Sequence, residues 1–379
     1  MCRLCALVSS QYFSPMEAIQ ALETMKEGHD GSGVGLTLRD LGGEFEGIKE
    51  FPILSGITSE RGYYELDDYM VAQGFRTKLL WDPSITLKPG MSIRRRHRYI
   101  VKAFDYPDRM KDRPWEEKAE FLTRTRVELR KMGEADHSII VFSFWPDVVT
   151  LKEVGDPLEV GEFFGLDAKP IPAKIVFAQG RQNTNYAIDL YACHPFFVQG
   201  MFTMTNGENT AFVPIREYLI SRGNPAYMGY NSDSEVFAHI LHYIRRKLGY
   251  PLKYYKDVLT PLKDEEMERR KDRDALRLMK RSLRMLTIDG PNCVIGCDGD
   301  GTVFMLQDAK KLRPGVVGGV RGKVGLVSEV CGLASAVPGR DVAKDVFPMK
   351  YDLVSVRPGA EEIEVWNQRD GSTSTISLA

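Results

Sequence analysis

Met1-Cys2-Arg3-Leu4-Cys5-Ala6-Leu7-Val8-Ser9 opens the chain. Leu4 to Ser9 reads as an apolar strand bounded by polar residues. If Met1 is trimmed, Cys2 becomes the first residue and carries a thiol and a free α-amine together. An α-amine titrates near about 8 and a thiol near about 8.5, so at neutral pH a free base stands beside a sulfur nucleophile. Position alone does not establish catalysis, because any residue can follow an initiator methionine. Next, Ser14-Pro15 supplies a helix cap followed by proline at the first helical position, with Ile19, Leu22 and Met25 at helical spacing and Gly28 as the stop. The run Gly28-His29-Asp30-Gly31-Ser32-Gly33-Val34-Gly35-Leu36 then turns into a second strand. A dinucleotide fingerprint needs a strand before its glycines and a helix after them; here the order is reversed. These glycines instead predict a tight turn or close backbone approach.

The 379 residues can form one large domain or two ordinary ones. With 51 basic against 52 acidic side chains, the chain has no global field to attract nucleic acid or an anionic membrane. No apolar run is long enough to span a bilayer and no signal pattern opens the chain, so the expectation is a soluble, cytoplasmic protein without nucleic-acid or membrane partners. The six cysteines are sparse and irregular, unlike a disulfide framework. All but Cys2 read as core thiols, and no metal site is expected.

Residues 40–172 differ in texture. Met91 to Lys131 holds thirteen Lys and Arg, including Arg94-Arg95-Arg96-His97-Arg98, against seven Asp and Glu. With a helix starting near Pro114 and the β-rich Ser138 to Phe142, this range predicts an inserted subdomain. Its basic run is a solvated face or, more sharply, a docking surface for an acidic partner. After Ala173, strands are expected at Lys174–Ala178, Met201–Thr205, Asn292–Cys297 and Thr302–Leu306, the last two joined by an Asp298-Gly299-Asp300-Gly301 hairpin. Helices are expected over Pro214–Ser221, Ser232–Leu248 and Asp264–Arg284. Two decoys fail on chemistry: Gly315–Gly325 lacks the residues of a phosphate loop, having Val317 and Val324 at the deciding positions, and His239 with His242 lacks further metal ligands.

Several motifs stand in a fixed order behind Cys2. They are Gly28-His29-Asp30-Gly31-Ser32-Gly33; Gly180-Arg181-Gln182-Asn183-Thr184-Asn185 with His194-Pro195-Phe196; Thr205-Asn206-Gly207-Glu208; and Asn231-Ser232-Asp233-Ser234-Glu235. Asp298-Gly299-Asp300-Gly301, Leu312-Arg313-Pro314 and Ser328-Glu329-Val330 follow. This order resembles the class II, N-terminal-nucleophile glutamine amidotransferases, over both ends of the chain but not over 40–172. Read singly, Arg181 is a surface ion-pair residue, Asn206-Gly207 a turn and Asp233 a helix cap; none of those readings accounts for the shared order.

The resemblance implies an α+β fold, the four-layer αββα sandwich of the N-terminal-nucleophile hydrolases, over 1–379 with the insert at about 40–172. It implies Cys2 as nucleophile, Asn206 and Gly207 as oxyanion donors, Arg181 on the α-carboxylate of L-glutamine, Asp233 on its α-ammonium, and Thr184 against the substrate. Met1-Cys2-Arg3-Leu4, Gly28-His29-Asp30-Gly31 and the long insert are most similar to the separate amidotransferase subunit of archaeal-type glutamate synthases. There, glutamine hydrolysis supplies ammonia to a flavin-containing subunit that aminates 2-oxoglutarate, with FMN and iron-sulfur clusters on partner subunits and no cofactor in this chain. A subunit of N-methylglutamate synthase, a non-catalytic regulatory subunit of the same fold, and a cysteine amide hydrolase acting on another substrate are the alternatives. The chain departs from the family at Glu27, where many members carry arginine, and at Gln182 and Asn185, where relatives carry an aromatic residue and a histidine.

Overall fold

The first strand, β1 (Arg3–Phe13), divides its side chains between two cores: Leu4, Ala6 and Val8 turn to one, Cys5 and Leu7 to the other. Successive strand side chains point to opposite faces, so a strand buried on both sides belongs to a sheet covered on both sides. The computed structural model describes residues 2–27, 30–93, 97–133, 135–182, 190–224, 232–359 and 361–378. Gly28, His29, Arg94 to Arg96, Asn183 to Asn185 and Asn231 lie outside the described residues.

The remaining strands of the first half are β2 (Val34–Leu41), β3 (Pro52–Thr58), β4 (Arg76–Leu80), β5 (Arg98–Asp105), β6 (Ile139–Pro146), β7 (Val148–Glu153) and β8 (Ala173–Gly180). The second half adds β9 (Phe196–Val198), β10 (Met201–Gly207), β11 (Asn292–Cys297), β12 (Val303–Gln307), β13 (Val316–Val320), β14 (Lys323–Val327), β15 (Asp352–Val356), β16 (Glu362–Asn367) and β17 (Thr373–Ser377). They form a first sheet in the order β13-β14-β1-β8-β2-β7, a second in the order β17-β16-β15-β12-β11-β10-β9, and a third in the order β4-β5-β3-β6.

Side-chain alternation stacks the first two sheets. Leu4, Ala6, Ile175 and Phe177 share one buried core with Phe202, Met204, Ile295 and Met305 of the second sheet. Across it the Phe177 and Phe202 rings meet edge to face, 4.8 Å between centroids. The opposite face of the first sheet (Cys5, Leu7, Leu36, Val176) packs on Ile19 and Leu22 of the helix Met16–Thr24, on Leu333 of Val330–Ala336 and on Val160 of Pro157–Phe163. The outer face of the second sheet (Val294, Phe304, Leu306) packs on Leu219, Ile240 and Tyr255 of the helices Phe212–Ser221, Glu235–His242 and Lys253–Leu259. The layers are therefore helix, sheet, sheet, helix. This is an α+β, four-layer αββα sandwich.

Local signals act where their chemistry requires. Ser14 Oγ accepts the Met16 N–H at 3.2 Å, as a cap ahead of Pro15 should. Helix Ser232–Leu248 is instead α-helical only over Glu235–His242 and passes into a π-helical turn, Tyr243–Lys247, whose Leu248 N–H reaches back to Tyr243 O at 3.0 Å. The charged stretch Asp264–Arg284 divides into Asp264–Met267 and Arg273–Ser282. Between them Arg270 is buried, paired with Asp272 and donating to Gln368 O at 2.7 Å, which an unbroken helix would prevent.

The third sheet runs from Pro52 to Pro146. Strand β7 lies inside 40–172 but pairs with β2 in the first sheet. The helix Trp115–Gly133 crosses the third sheet and is anchored beyond it by buried Arg126, which donates to Phe142 O at 2.9 Å, Val141 O at 3.3 Å and, on the second sheet, Phe197 O at 2.8 Å. Among the described residues no helix is long and apolar enough to cross a membrane.

Candidate active site

Strand register brings the first candidates together. In the antiparallel pair β1 and β8, Arg3 lies opposite Gly180 and Leu4 opposite Gln179; one further step sets Cys2 opposite Arg181. Cys2 is half-buried, packs against the core between the sheets, and its thiol lies 3.8 Å from Gln182 O. Arg181 is 7% exposed, and its N–H donates to Gly33 O at 2.8 Å. The start of the chain is clamped from both sides. Leu4 N–H donates to Ser328 Oγ at 3.1 Å, while Arg3 pairs with Glu329 at 3.1 Å and donates to Glu27 O at 2.9 Å. Ser328-Glu329 thus holds the strand that carries Cys2, and Arg3 places a cation beside the Glu27 backbone.

The glycine loop works by close approach. A Cβ on Gly33 would meet Cys193 Sγ at 2.6 Å, and one on Gly35 would meet His194 O at 1.7 Å. The 193–194 segment can therefore lie directly on β2. There His194 N–H donates to Gln179 Oε1 at 2.8 Å, and His194 Nδ1 accepts the Thr205 N–H at 3.0 Å. That bridge joins the end of β8, beside Cys2, to the end of β10.

Asn206 is 2% exposed and alternates with Phe202 and Met204, so it lies on the β10 face that looks between the sheets. Gly207 closes β10 against Asn292, where a Cβ would meet Pro291 O at 1.9 Å. The acidic motif is laid on the same end. Thr205 Oγ1 and Ser234 Oγ are 2.7 Å apart, and Asp233 Oδ2 accepts the Asn209 N–H at 2.7 Å. Cys2 and Arg181 thus stand at adjacent strand ends, and Asn206, Gly207 and Asp233 at the end of β10 that His194 ties to Gln179. Asp233 also has a structural task, bracing the turn after Gly207. Thr184 lies outside the described residues.

Burial pushes the Cys2 thiol up from its ordinary value, while the Gln182 backbone, the Arg181 guanidinium and the Gln179 amide pull it back. Burial likewise raises the Asp233 carboxyl against the pull of the Asn209 N–H. His194 is held far below the usual imidazole range by burial, then by Lys152 and Arg181. It is therefore neutral, consistent with Nδ1 as an acceptor. Lys152, buried, donates to Cys193 O and fixes the other side of that segment.

Sequence reading missed Gln179 and the bridging role of His194. A signal was present: in Ala173–Gly180 the positions alternating with Ile175 and Phe177 face the core, and at 179 that place is held by a glutamine. The rejected decoys have structural partners. His239 meets Glu235 and Asn224 at 3.2 and 2.7 Å, and His242 meets Asn224 and Gln199 at 3.0 and 2.7 Å. Gly315–Gly325 contains the hairpin β13–β14. Cys5, Cys193, Cys293 and Cys297 are buried free thiols, but Cys331 is exposed in the first turn of Val330–Ala336, so the expectation of a core position fails there.

No family model matches the sequence. Among curated proteins, an uncharacterized protein of Archaeoglobus fulgidus is 24% identical over 372 residues, covering 95% of this chain and 92% of its own. Among solved structures, glutamine phosphoribosylpyrophosphate amidotransferase from B. subtilis, complexed with ADP and GMP, aligns with a TM-score of 0.44 and 13% identity over 100% of this chain and 49% of its own. A structure described as the allosteric regulatory enzyme of purine biosynthesis gives 0.47 and 13%, with the same coverage. A glutamine aminotransferase class-II domain protein from Silicibacter pomeroyi gives 0.29 and 11%, over 92% of this chain and 99% of its own. The chain spans about half the length of the first two of these structures.

Proposed function

We propose that this chain hydrolyses L-glutamine to glutamate and ammonia through a thioester on Cys2. The observation that carries the reading is the half-buried Cys2 thiol at the start of β1, in register with Arg181 and joined through Gln179 and His194 to the Asn206-Gly207 end of β10.

In this reading Met1 is removed and the Cys2 α-amine accepts the thiol proton, directly or through water. Sulfur attacks the side-chain amide carbon; a C–S bond forms and the carbonyl electron pair moves to oxygen. The Asn206 side-chain N–H and Gly207 backbone N–H hold that oxyanion, one such donor contributing about 3 to 4 kcal/mol to lowering the barrier. On collapse the C–N bond breaks and ammonia leaves with the proton from the α-ammonium. Water then cleaves the thioester and releases glutamate. Arg181 clamps the substrate carboxylate through its planar fork, Asp233 pairs with the substrate ammonium, and Thr184 contacts the substrate. A bound ammonium also offsets the burial that raises Asp233.

The same proposal delivers the ammonia to a flavin-containing glutamate synthase subunit that aminates 2-oxoglutarate, with FMN and iron-sulfur clusters on partner subunits. The similarity of Met1-Cys2-Arg3-Leu4 and the glycine loop to the separate subunits of that system supports it. The test is the intact mass of the purified chain before and after a diazo-ketone analogue of glutamine. Loss of Met1 and a single adduct, absent in Cys2→Ala, is expected. Retained Met1, or no adduct even with candidate partner subunits present, overturns the reading.

A further inference from the structure

We propose that Gln179 is a positioning residue for the nucleophile, its Nε2–H held ready for the Cys2 sulfur once the thiol proton has left; this rests on the reading of Cys2 as nucleophile.

Gln179 is fully buried in β8, on the face shared by Ile175 and Phe177 and opposite Leu4. Cys2 precedes Leu4 by two residues on that face and is thus the diagonal cross-strand neighbour of Gln179, a separation that a long side chain spans. The orientation of the amide is fixed by chemistry. The His194 backbone N–H can only donate, so the atom it meets at 2.8 Å must be Gln179 Oε1, and Nε2 is the end left to point away. That Nε2 is buried without a hydrogen-bond partner among the described residues. A buried donor gains by meeting an acceptor, and a thiolate formed at the neighbouring Cys2 would be one.

The thiol and the thiolate need different neighbours. In the resting state the S–H faces Gln182 O. A thiolate has no proton to give and is held by donors, and Gln179 Nε2 is the donor already in place. Its rotamer is pinned by the His194 contact, which exists only because Gly35 has no side chain to push His194 O away. The influence of Gln179 on the Cys2 thiol is downward, as a donor to the anion requires.

The test is the rate of Cys2 alkylation by iodoacetamide against pH, followed by peptide mass spectrometry in the full chain. The exposed Cys331 serves as internal reference. Gln179→Glu keeps an acceptor for the His194 N–H and replaces the donor with an anion; Gln179→Met keeps the length and removes both functions. In both, the Cys2 midpoint is expected to rise by about one pH unit. At pH 7 that means about tenfold less thiolate, offset by the greater nucleophilicity of the more basic sulfur, for a net fall of about three- to fourfold. Cys331 should not change. An unchanged Cys2 midpoint in either folded variant, or an equal change at Cys331, overturns the proposal. If neither variant folds, Gln179 is a packing residue and the proposal also fails. Alkylation needs no glutamine, so a shifted midpoint without a diazo-ketone adduct would uphold Gln179 while removing the glutaminase reading, and an adduct with an unmoved midpoint would do the reverse.

Discussion

Gly207→Ala separates the geometry of the oxyanion donors from the rest of the site. In the native backbone a Cβ at 207 lies 1.9 Å from Pro291 O, 2.6 Å from Asn292 Oδ1 and 2.8 Å from Asn292 Cα, whereas real contacts essentially never fall below 3.0 Å. Two of those three neighbours are main chain and cannot rotate aside. The last pair of β10 and β11 must therefore separate by about 1.1 Å, the difference between 3.0 and 1.9 Å. An oxyanion donor acts over a window of only about 2.7 to 3.1 Å, so a shift of that size forfeits most of the Gly207 N–H contribution. A fall in kcat for glutaminase turnover of about 10²- to 10³-fold is expected. KM for glutamine should change less than kcat, because Arg181 is not on the displaced strand pair and Asp233 meets it only through the turn after Gly207. Overpacking should also cost about 1 to 3 kcal/mol of stability, seen as a lower melting temperature with an intact circular dichroism spectrum. Alkylation of Cys2 should be unaltered, which distinguishes a lost donor from a collapsed site. A folded variant retaining kcat within about threefold would refute the assignment of the Gly207 N–H to the transition state.

Three other perturbations have defined outcomes. Arg181→Lys keeps the charge but loses the fork, so KM for glutamine should rise about 10- to 100-fold with kcat nearly constant; a fall confined to kcat would place Arg181 outside substrate binding. Arg126→Leu strands the carbonyls of Val141, Phe142 and Phe197 and should lower the free energy of unfolding by about 3 kcal/mol or more, measured in urea; a loss under about 1 kcal/mol would show that the insert does not depend on this anchor. Burial pushes the Glu153 carboxyl from 4.5 up to about 7, so between those values the native state keeps a proton that the unfolded chain has released, and stability falls as pH rises through the window. Glu153→Gln should remove this slope, its stability relative to the parent growing by about 3 kcal/mol between the two ends; parallel pH curves would refute the shift.

Several strands, turns and caps could be read from the sequence because their signals are local, whereas the layered sandwich came only as what the resemblance implied. The cap at Ser14-Pro15 and the hairpin turn after Cys297 need only neighbouring residues to act. Boundaries failed where a distant partner decided them. Arg270 is one charge among many in a stretch of helical character, and only its burial against Gln368 and Asp272 breaks the helix there. Cys331 shares the general expectation that sparse free thiols lie in the core, but in a short helix packed on one side the position one step from the buried Gly332 faces solvent. Texture sets residues 40–172 apart but cannot show that β7 pairs into the first sheet, since its pairing with β2 is set across more than a hundred residues of chain.

In the candidate site, the positions most legible in the sequence are those whose packing depends on missing side chains. Gly33, Gly35 and Gly207 each sit where a Cβ would strike another segment, with Cys193, His194 and Pro291 as the nearest obstacles. No other residue meets that requirement, so a glycine is needed at each of these positions, while the segments pressed against them, 193–194 and Pro291, are seen only in the structure. Donors and acceptors obey a weaker rule. The contact made by Gln179 needs an acceptor for one N–H and a donor aimed elsewhere, and more than one side chain can supply that. Its identity carries little information until register places it beside Cys2. The same asymmetry orders the expected mutational effects: substitutions at the close-approach glycines should displace backbone and lose rate and stability together, whereas substitutions at Gln179 should shift the titration of the nucleophile in a chain that still folds.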